Sequence, residues 1–185
     1  MQSDNGAEPK DEKNTISRRE VLEALGAGIL VTGVIGCTSG EGAALAYDEE
    51  LTPELYHSSA RALASAIRTR KVSSVEVVQA FLDRTEAVNA KINAVVTSAG
   101  DEALDAAREA DAQLSRGELT GPLHGVPMTI KDSIDTAGVV TTYGTKGRST
   151  FVPLKDATVV ARLKSAGAIL LGKTNTPEFT LSYET

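Results

Sequence analysis

Beyond residue 50, apolar positions recur at helical spacing in three blocks that are separated by short polar breaks. The first block begins near Leu51, where Thr52 is predicted to cap a helix. The second opens on Ser73 with Glu76 three residues later, which is the pattern of a capping box. The third block is alanine-rich and spans about 99–116. The charged positions fall on the opposite face of each block, so the pattern predicts surface helices that serve as scaffold.

The second half of the chain alternates short apolar runs with Gly and Pro. Asp156 is predicted to cap a helix that Gly167 ends, with apolar runs on either side of it. Strands are predicted at 92–97, 126–130, 139–142 and 168–171. A strand, a crossover helix and a second strand indicate a parallel unit with a right-handed connection. The predicted fold class is therefore α/β.

The first 46 residues differ in character from the rest. A polar segment leads into Ser17-Arg18-Arg19-Glu20-Val21-Leu22, which resembles a twin-arginine export signal, and an apolar run follows from Leu25 to Ile35. That run is shorter than the ~20 residues that span a bilayer and suits the core of a signal peptide. We therefore predict an export signal peptide and tether over 1–46, with the twin-arginine export machinery as a partner, and a folded domain over 51–185.

Two cleavage sites are compatible with this segment. Val34-Ile35-Gly36-Cys37 resembles a lipobox, in which Cys37 would carry a lipid and attach the protein to the membrane. Ala44-Leu45-Ala46 has the small-x-small pattern of an ordinary signal-peptidase site. Either site predicts a protein in the cell envelope or periplasm, or on the extracytoplasmic membrane face.

Composition excludes several functional classes. The net charge of −6 comes without a long basic run, so nucleic acid is not an expected partner. Two histidines and one cysteine cannot build a tetrahedral zinc site or a disulfide framework within one chain. We predict no metal and no cofactor.

One phosphate-binding pattern is present in spelling only. Gly167 and Gly172 enclose four residues and are followed by Lys173-Thr174, as in a phosphate-binding loop. Such a loop needs a strand before it and a helix after it. Here a predicted helix precedes Gly167, and Asn175-Thr176-Pro177 predicts a turn, so the pattern does not indicate nucleotide binding.

Lys131 is the candidate for chemistry because it ends the predicted strand 126–130, where ligand crevices form in α/β sheets. A lysine at its reference pKa of ~10.4 is protonated at neutral pH, and lowering that pKa by about three units costs roughly 4 kcal/mol. A buried, dry pocket can supply this. From the residues alone, an ordinary solvated lysine at a strand end remains the alternative.

An ordered set of motifs resembles the amidase signature family. They are Gly-Pro-Leu-His-Gly-Val-Pro before the strand, Lys131-Asp132 at its end, Asp156-Ala157-Thr158, and Gly172-Lys173-Thr174-Asn175. The resemblance runs from about Leu51 to the last residue. It implies a mixed β-sheet with helices on both faces, and hydrolysis of a small-molecule amide without a metal.

The resemblance also implies roles for individual residues. Lys131 matches the family's catalytic base, which takes a proton through a serine with a cis peptide bond from a second, nucleophilic serine. Thr180, Leu181 and Ser182 match a segment that borders the substrate pocket. Asp132 is expected to position the local backbone. A pair of Lys131 with Ser133 is a minor alternative, because the family places its nucleophile elsewhere.

The chain departs from the family in lacking a Gly-Gly-Ser-Ser-Gly-type loop. We therefore expect these residues to form the N-terminal part of an amidase domain, and expect this chain alone to hydrolyse no amide. Two other functions stay open. One is an exported, non-catalytic lipoprotein or binding module with an amidase-like fold, and the other is the A subunit of a tRNA amidotransferase. The substrate and the oligomeric state are left open.

Overall fold

The computed structural model describes residues 51–183. The predicted export signal, Cys37 and the alternative cleavage site lie outside these residues. The helices and strands follow one another along the chain in the order α1 (Ala60–Arg68), α2 (Ser74–Ile92), β1 (Val95–Ser98), α3 (Gly100–Ser115), β2 (Pro127–Lys131), α4 (Thr158–Ser165) and β3 (Ile169–Thr174). Short 3-10 helices lie at Leu55–His57, Lys146–Arg148 and Glu178–Thr180. In this part of the chain, no helix has the length and apolar character needed to cross a membrane.

The three strands form one mixed sheet in the order β1-β3-β2. The central strand β3 runs antiparallel to β1 and parallel to β2. Helix α4 connects β2 to β3, as parallel neighbours require a crossover. The predicted parallel unit and the α/β class are confirmed. A bulge leaves Leu171 unpaired, because Met128 pairs with Leu170 while Thr129 pairs with Gly172.

The helix starts show which local signals decided the structure. The capping box of α2 is confirmed: the Glu76 amide donates to Ser73 Oγ over 3.1 Å, and the Ser73 amide donates to Glu76 Oε2 over 2.8 Å. The predicted cap at Thr52 is wrong. Ser59 caps α1 by accepting a hydrogen bond from the Ala62 amide, and the Thr52 hydroxyl donates to the Glu54 carbonyl.

Two predictions in the second half also need correction. The segment 139–142 is not a strand. Its Thr141 amide donates to Phe151 O, which lies in a loop and not in a neighbouring strand. Asp156 does not cap α4, whose cap residue Ala157 makes no side-chain bond. The Asp156 carboxylate instead accepts from the Ala137 amide at 2.7 Å and from Lys164 Nζ at 2.9 Å. Asp156 therefore joins α4 to the loop after β2.

The predicted strand at 92–97 begins later than expected. Helix α2 continues through Ile92 and ends at Asn93, which has a left-handed φ of 47°. Asn89 then bonds both backbone groups of Val95, where β1 starts, at 2.8 Å. The end of the helix and the start of the strand are thus held by one side chain.

The core consists of two apolar clusters that share helix α2. The first joins α1, α2, the end of α3 and the residue before β2, and its buried members are Leu63, Ala64, Ile67, Val77, Leu114 and Val126. The second packs α2 and α3 against β3, and its buried members are Val78, Ala103, Ala107, Ala110, Ile169 and Leu171. Because Val77 and Val78 are adjacent and fully buried, α2 fastens β3 and the start of β2 to one scaffold.

Candidate active site

Lys131 is the last residue of β2, and its partner across the sheet is Thr174. The preceding pair, Ile130 and Lys173, is buried, whereas Lys131 is exposed. Successive side chains of a strand point to opposite faces, so Lys131 and Lys173 leave the sheet on opposite sides. Within residues 51–183, the Lys131 ammonium has neither a hydrogen bond nor an ion pair. These residues do not form the dry pocket that a lysine base requires.

The backbone around Lys131 is held much more firmly than its side chain. The Ile134 amide donates to the Lys131 carbonyl at 3.0 Å, and the Asp132 amide donates to the Thr174 carbonyl at 2.8 Å. The Asp132 carboxylate is buried and accepts bonds from the amide and the hydroxyl of Thr142. These contacts agree with the backbone role that was predicted for Asp132.

Tyr143 links this turn to the segment after β3. Its amide donates to the Asp132 carbonyl at 3.1 Å, and its carbonyl accepts from the Phe179 amide at 2.8 Å. The Tyr143 hydroxyl donates to Asp135, and the two aromatic ring centroids of Tyr143 and Phe179 lie 6.3 Å apart. Burial and the nearby Asp135 carboxylate raise the pKa of Tyr143. The residues that follow Phe179 are therefore brought to the same end of the sheet as Lys131.

The three predicted pocket residues follow Phe179 directly. Thr180 ends the last 3-10 helix, and Leu181 and Ser182 come next; all three are exposed. Phe179 and Thr180 both adopt positive φ angles, of 48° and 60°. The structure thus places these residues near the turn that follows Lys131, and their role as pocket lining stays a prediction.

A buried lysine lies on the other face of the sheet, and sequence reasoning gave it no role. Lys173 is fully buried, and its Nζ donates to Ile134 O at 2.6 Å, Thr141 Oγ1 at 2.8 Å and Thr136 Oγ1 at 3.1 Å. The sequence signal for this buried lysine was Gly-Lys-Thr directly after a run of strand-forming aliphatic residues. A phosphate-binding loop is incompatible with this arrangement, because Gly167 follows α4 and Lys173 lies inside β3.

Burial lowers the pKa of Lys173, and the carboxylates of Asp132, Asp135 and Asp156 oppose that effect. The two influences have opposite signs, because burial disfavours the charged amine and negative neighbours favour it.

The remaining polar candidates have structural roles in this part of the chain. His124 is buried; its Nδ1 accepts from the Thr120 amide at 3.1 Å, so Nε2 carries the proton and donates to Ala110 O. Ser133 makes no hydrogen bond to Lys131 within the described residues. Between residues 51 and 183, no group of three or more His, Cys, Asp or Glu side chains could hold a metal ion.

One cavity is separate from Lys131. It has a volume of about 540 Å³ and lies between α3, β1 and the loop at 137–140, with Ile169 and Leu170 among its walls. Its lining is mostly apolar, and Lys131 is not part of it. The position of Lys131 at a strand end, and not a preformed cavity, therefore defines the candidate site.

Comparison with known proteins identifies the family to which this chain is similar. A family model described as Amidase matches residues 76–185. The chain is 47% identical over 132 residues to the A subunit of the glutamyl-tRNA(Gln) amidotransferase of Carboxydothermus hydrogenoformans, and this match covers 71% of the chain and 27% of the relative. It is 49% identical over 116 residues to the indoleacetamide hydrolase of Bradyrhizobium diazoefficiens, covering 63% of the chain and 22% of the relative.

A solved structure with the same fold is the native peptide amidase from Stenotrophomonas maltophilia. The TM-score is 0.63 at 36% identity, and the match covers 66% of this chain and 26% of that one. The chain thus spans about a quarter of the length of the relatives that it matches. The family match covers most of the chain, and it includes the strand that ends in Lys131 as well as β3. The chain belongs to the amidase signature family.

Proposed function

We propose that the protein containing this chain hydrolyses a carboxamide to a carboxylate and ammonia or an amine, with Lys131 as the catalytic base. The observation that carries this proposal is the position of Lys131. It ends a parallel strand in a family whose named members include a peptide amidase and an indoleacetamide hydrolase. Its backbone is fixed, while its side chain is free to meet a partner.

The proposed chemistry needs two serines in addition to Lys131. A neutral Lys131 amine accepts a proton from a bridging serine, which takes one from the nucleophilic serine as that oxygen attacks the amide carbon. The C–N bond breaks, the leaving amine is protonated, and water then hydrolyses the acyl-enzyme. Backbone N–H groups stabilise the oxyanion. We assign both serines to residues outside 51–183.

A lysine acts as a base only when its amine is neutral, and a dry environment favours that form. Residues 51–183 leave the Lys131 side chain exposed. We therefore assign the covering surface to other residues of the protein or to the bound substrate. On this basis we also expect the 185-residue chain by itself to show no turnover.

The test uses the complete gene product and a panel of small amides. Lys131→Ala should lower kcat/KM by about 10²-fold to 10⁴-fold, the usual contribution of a positioned general base. Lys155→Ala is the matched control, because Lys155 is exposed and lies outside the Lys131 turn. Turnover that is equal in Lys131→Ala and wild type would contradict the proposal.

A second candidate is the A subunit of a tRNA amidotransferase, because relatives that carry this name are up to 47% identical to the chain. The same lysine chemistry would then release ammonia for a glutamyl-tRNA(Gln) acceptor. Glutamine-dependent amidation of that tRNA distinguishes the two candidates. Amide turnover by the isolated protein, without tRNA amidation in the presence of candidate partner proteins, favours the hydrolase.

We also propose export by the twin-arginine route, on the basis of the segment around Arg18 and Arg19. The double substitution of both arginines by lysine should retain the protein in the cytoplasm, measured by cell fractionation. Cys37→Ala should abolish lipid labelling if the lipobox is used, and should leave processing unchanged if cleavage follows Ala46. Unaltered export of the double-lysine variant would contradict this route.

A further inference from the structure

Lys173 occupies a site that few lysines occupy, because its side chain is fully buried in a sheet strand. Lysines are rarely buried unless all of their donors are satisfied. The three acceptors of Lys173 all belong to the loop that follows β2, at positions 134, 136 and 141. The side chain therefore connects the central strand to the loop directly after Lys131.

The three bonds around the Lys173 nitrogen suit a donor group. A hydroxyl has a single proton, and the Thr136 hydroxyl donates to Ile134 O while the Thr141 hydroxyl donates to Val139 O. Both hydroxyl oxygens thus have only lone pairs left for Lys173, and a carbonyl also only accepts. Three acceptors around one nitrogen match the number of N–H donors of a protonated lysine.

One of these bonds leads directly to the backbone of Lys131. Lys173 Nζ holds the Ile134 carbonyl, and the amide of Ile134 donates to the Lys131 carbonyl at 3.0 Å. Both backbone groups of Ile134, the last residue of the turn that begins at Lys131, are therefore hydrogen-bonded. The strand register adds a second connection, because Thr174, the neighbour of Lys173, accepts from the Asp132 amide.

The other end of the loop is held in the same way. Thr141 accepts from Lys173, and the next residue, Thr142, donates its amide and hydroxyl to the Asp132 carboxylate. The buried side chains of Lys173 and Asp132 thus bond to adjacent residues of one segment. If Lys173 is removed, Thr141 loses this partner, and the bonds from Thr142 to Asp132 lose the support of a fixed neighbour.

We propose that Lys173 is a positioning residue for Lys131, and that its buried side chain holds the 132–143 loop in the conformation that places the base. The catalytic part of this proposal rests on the proposed function of Lys131. The structural part, which concerns the order of the loop, does not. The two parts can therefore be tested separately.

The structural part is tested by hydrogen exchange on the full chain. Lys173→Met keeps an unbranched side chain that is one atom shorter and removes its donors, so exchange of the amides at 132–143 should accelerate at least about tenfold, while exchange in α3 stays unchanged. Lys155→Met is the matched control for replacing a lysine at an exposed position. Wild-type protection of the loop in a folded Lys173→Met protein would overturn the proposal.

A second pair of variants keeps the test decisive if Lys173→Met does not fold. Thr141→Val removes one acceptor and should accelerate exchange in the same loop by a smaller factor, whereas Thr141→Ser keeps the hydroxyl and should restore protection. Equal exchange in the valine and serine variants would overturn the proposal. Both variants leave the Lys173 side chain in place.

The catalytic part is tested on the complete gene product with the amide that it hydrolyses. Misplacing a base weakens the transition state more than substrate binding, so Lys173→Met and Thr141→Val should lower kcat by about tenfold or more with KM within about twofold. Thr141→Ser should return kcat to the wild-type value. A rise in KM with unchanged kcat would overturn the positioning role. If Lys131→Ala is fully active, the proposed function fails, and the exchange results still decide the structural part.

Discussion

Two lysines on neighbouring strands have opposite environments. Lys131 is exposed at the end of β2, whereas Lys173 is buried and donates three hydrogen bonds. The difference follows from the register, which pairs Lys173 with the buried Ile130 and places Lys131 one position further. At the scale of single residues, a shift of one position separates an exposed amine from a buried one.

Asp156 is the residue for which a dependence on pH can be predicted. Burial raises the pKa of its carboxyl, but the hydrogen bonds from Lys164 and the Ala137 amide, together with the charges of Lys164 and Lys173, lower the pKa overall. A carboxyl with a depressed pKa stabilises the fold above its unfolded value of ~3.9, and that stabilisation is lost as the pH falls through the folded pKa.

Asp156→Asn should therefore lower the free energy of unfolding by about 1 kcal/mol at pH 7, in line with a partly exposed ion pair plus one charged hydrogen bond. The difference from wild type should shrink as the pH falls below about 4. Urea unfolding at both pH values measures it. Asp105→Asn, at an exposed pair with Arg108, is the control with little effect. A difference that grows at low pH would contradict the assignment.

At the scale of elements, the lead-in to β2 packs directly against the end of α4. The Leu123 amide donates to Ala166 O at 2.8 Å, and the Gly125 amide donates to Gly167 O at 3.0 Å. Gly167 has a φ of +93°, and a Cβ at this position would lie 2.7 Å from the Cα of His124. The close approach of two backbones explains why a glycine is needed here.

Gly167→Ala and Gly138→Ala form a matched pair for this contact. Both positions have positive φ, which costs an alanine roughly 1–2 kcal/mol, but a Cβ at Gly138 meets no atom within 4 Å. Gly167→Ala should lose roughly 1–3 kcal/mol more, because the obstructing atoms are backbone. Midpoints of urea unfolding give the comparison. Equal losses in both variants would show that the packing between α4 and the lead-in is not close.

At the scale of the whole molecule, helices α2 and α3 both contribute to the two core clusters and make them one unit. Ile67 belongs to the first cluster and Leu171 to the second, and α2 contributes the adjacent residues Val77 and Val78 to them. Loss of either cluster should therefore destabilise both, because the same helix would lose one side of its packing.

We predict that Ile67→Ala and Leu171→Ala each shift one cooperative transition, by about 2–5 kcal/mol. Far-UV circular dichroism and tyrosine fluorescence should report the same midpoint in each variant. Leu154→Ala, at a side chain that is 95% exposed, should change stability by less than about 0.5 kcal/mol. Separate midpoints for the two probes would show that the clusters unfold independently.

The elements that local contacts hold could be predicted from the chain itself. The capping box of α2 needs only Ser73 and Glu76, and both lie within one helical turn. The alternation of β2 likewise placed Lys131 at the strand end, and the ordered motifs indicated the family. The approximate position of the helices and strands in the described part followed from these signals, with the exceptions of 139–142, the start of the first helix and the start of β1.

The environments of Asp156 and Lys173 depend on partners far along the chain. Asp156 has the residue type of a cap, but it accepts a hydrogen bond from the Ala137 amide, 19 positions away. Thr52 also has that residue type, although its partners Glu54 and Ser58 are local. Lys173 reaches acceptors between 32 and 39 positions away. The sequence by itself determined the helices, the strands and the identity of the candidate base. Only the tertiary structure decided which lysine is buried and which loop it holds, because a side chain's partners are set by the packing of distant segments and not by its neighbours in the chain.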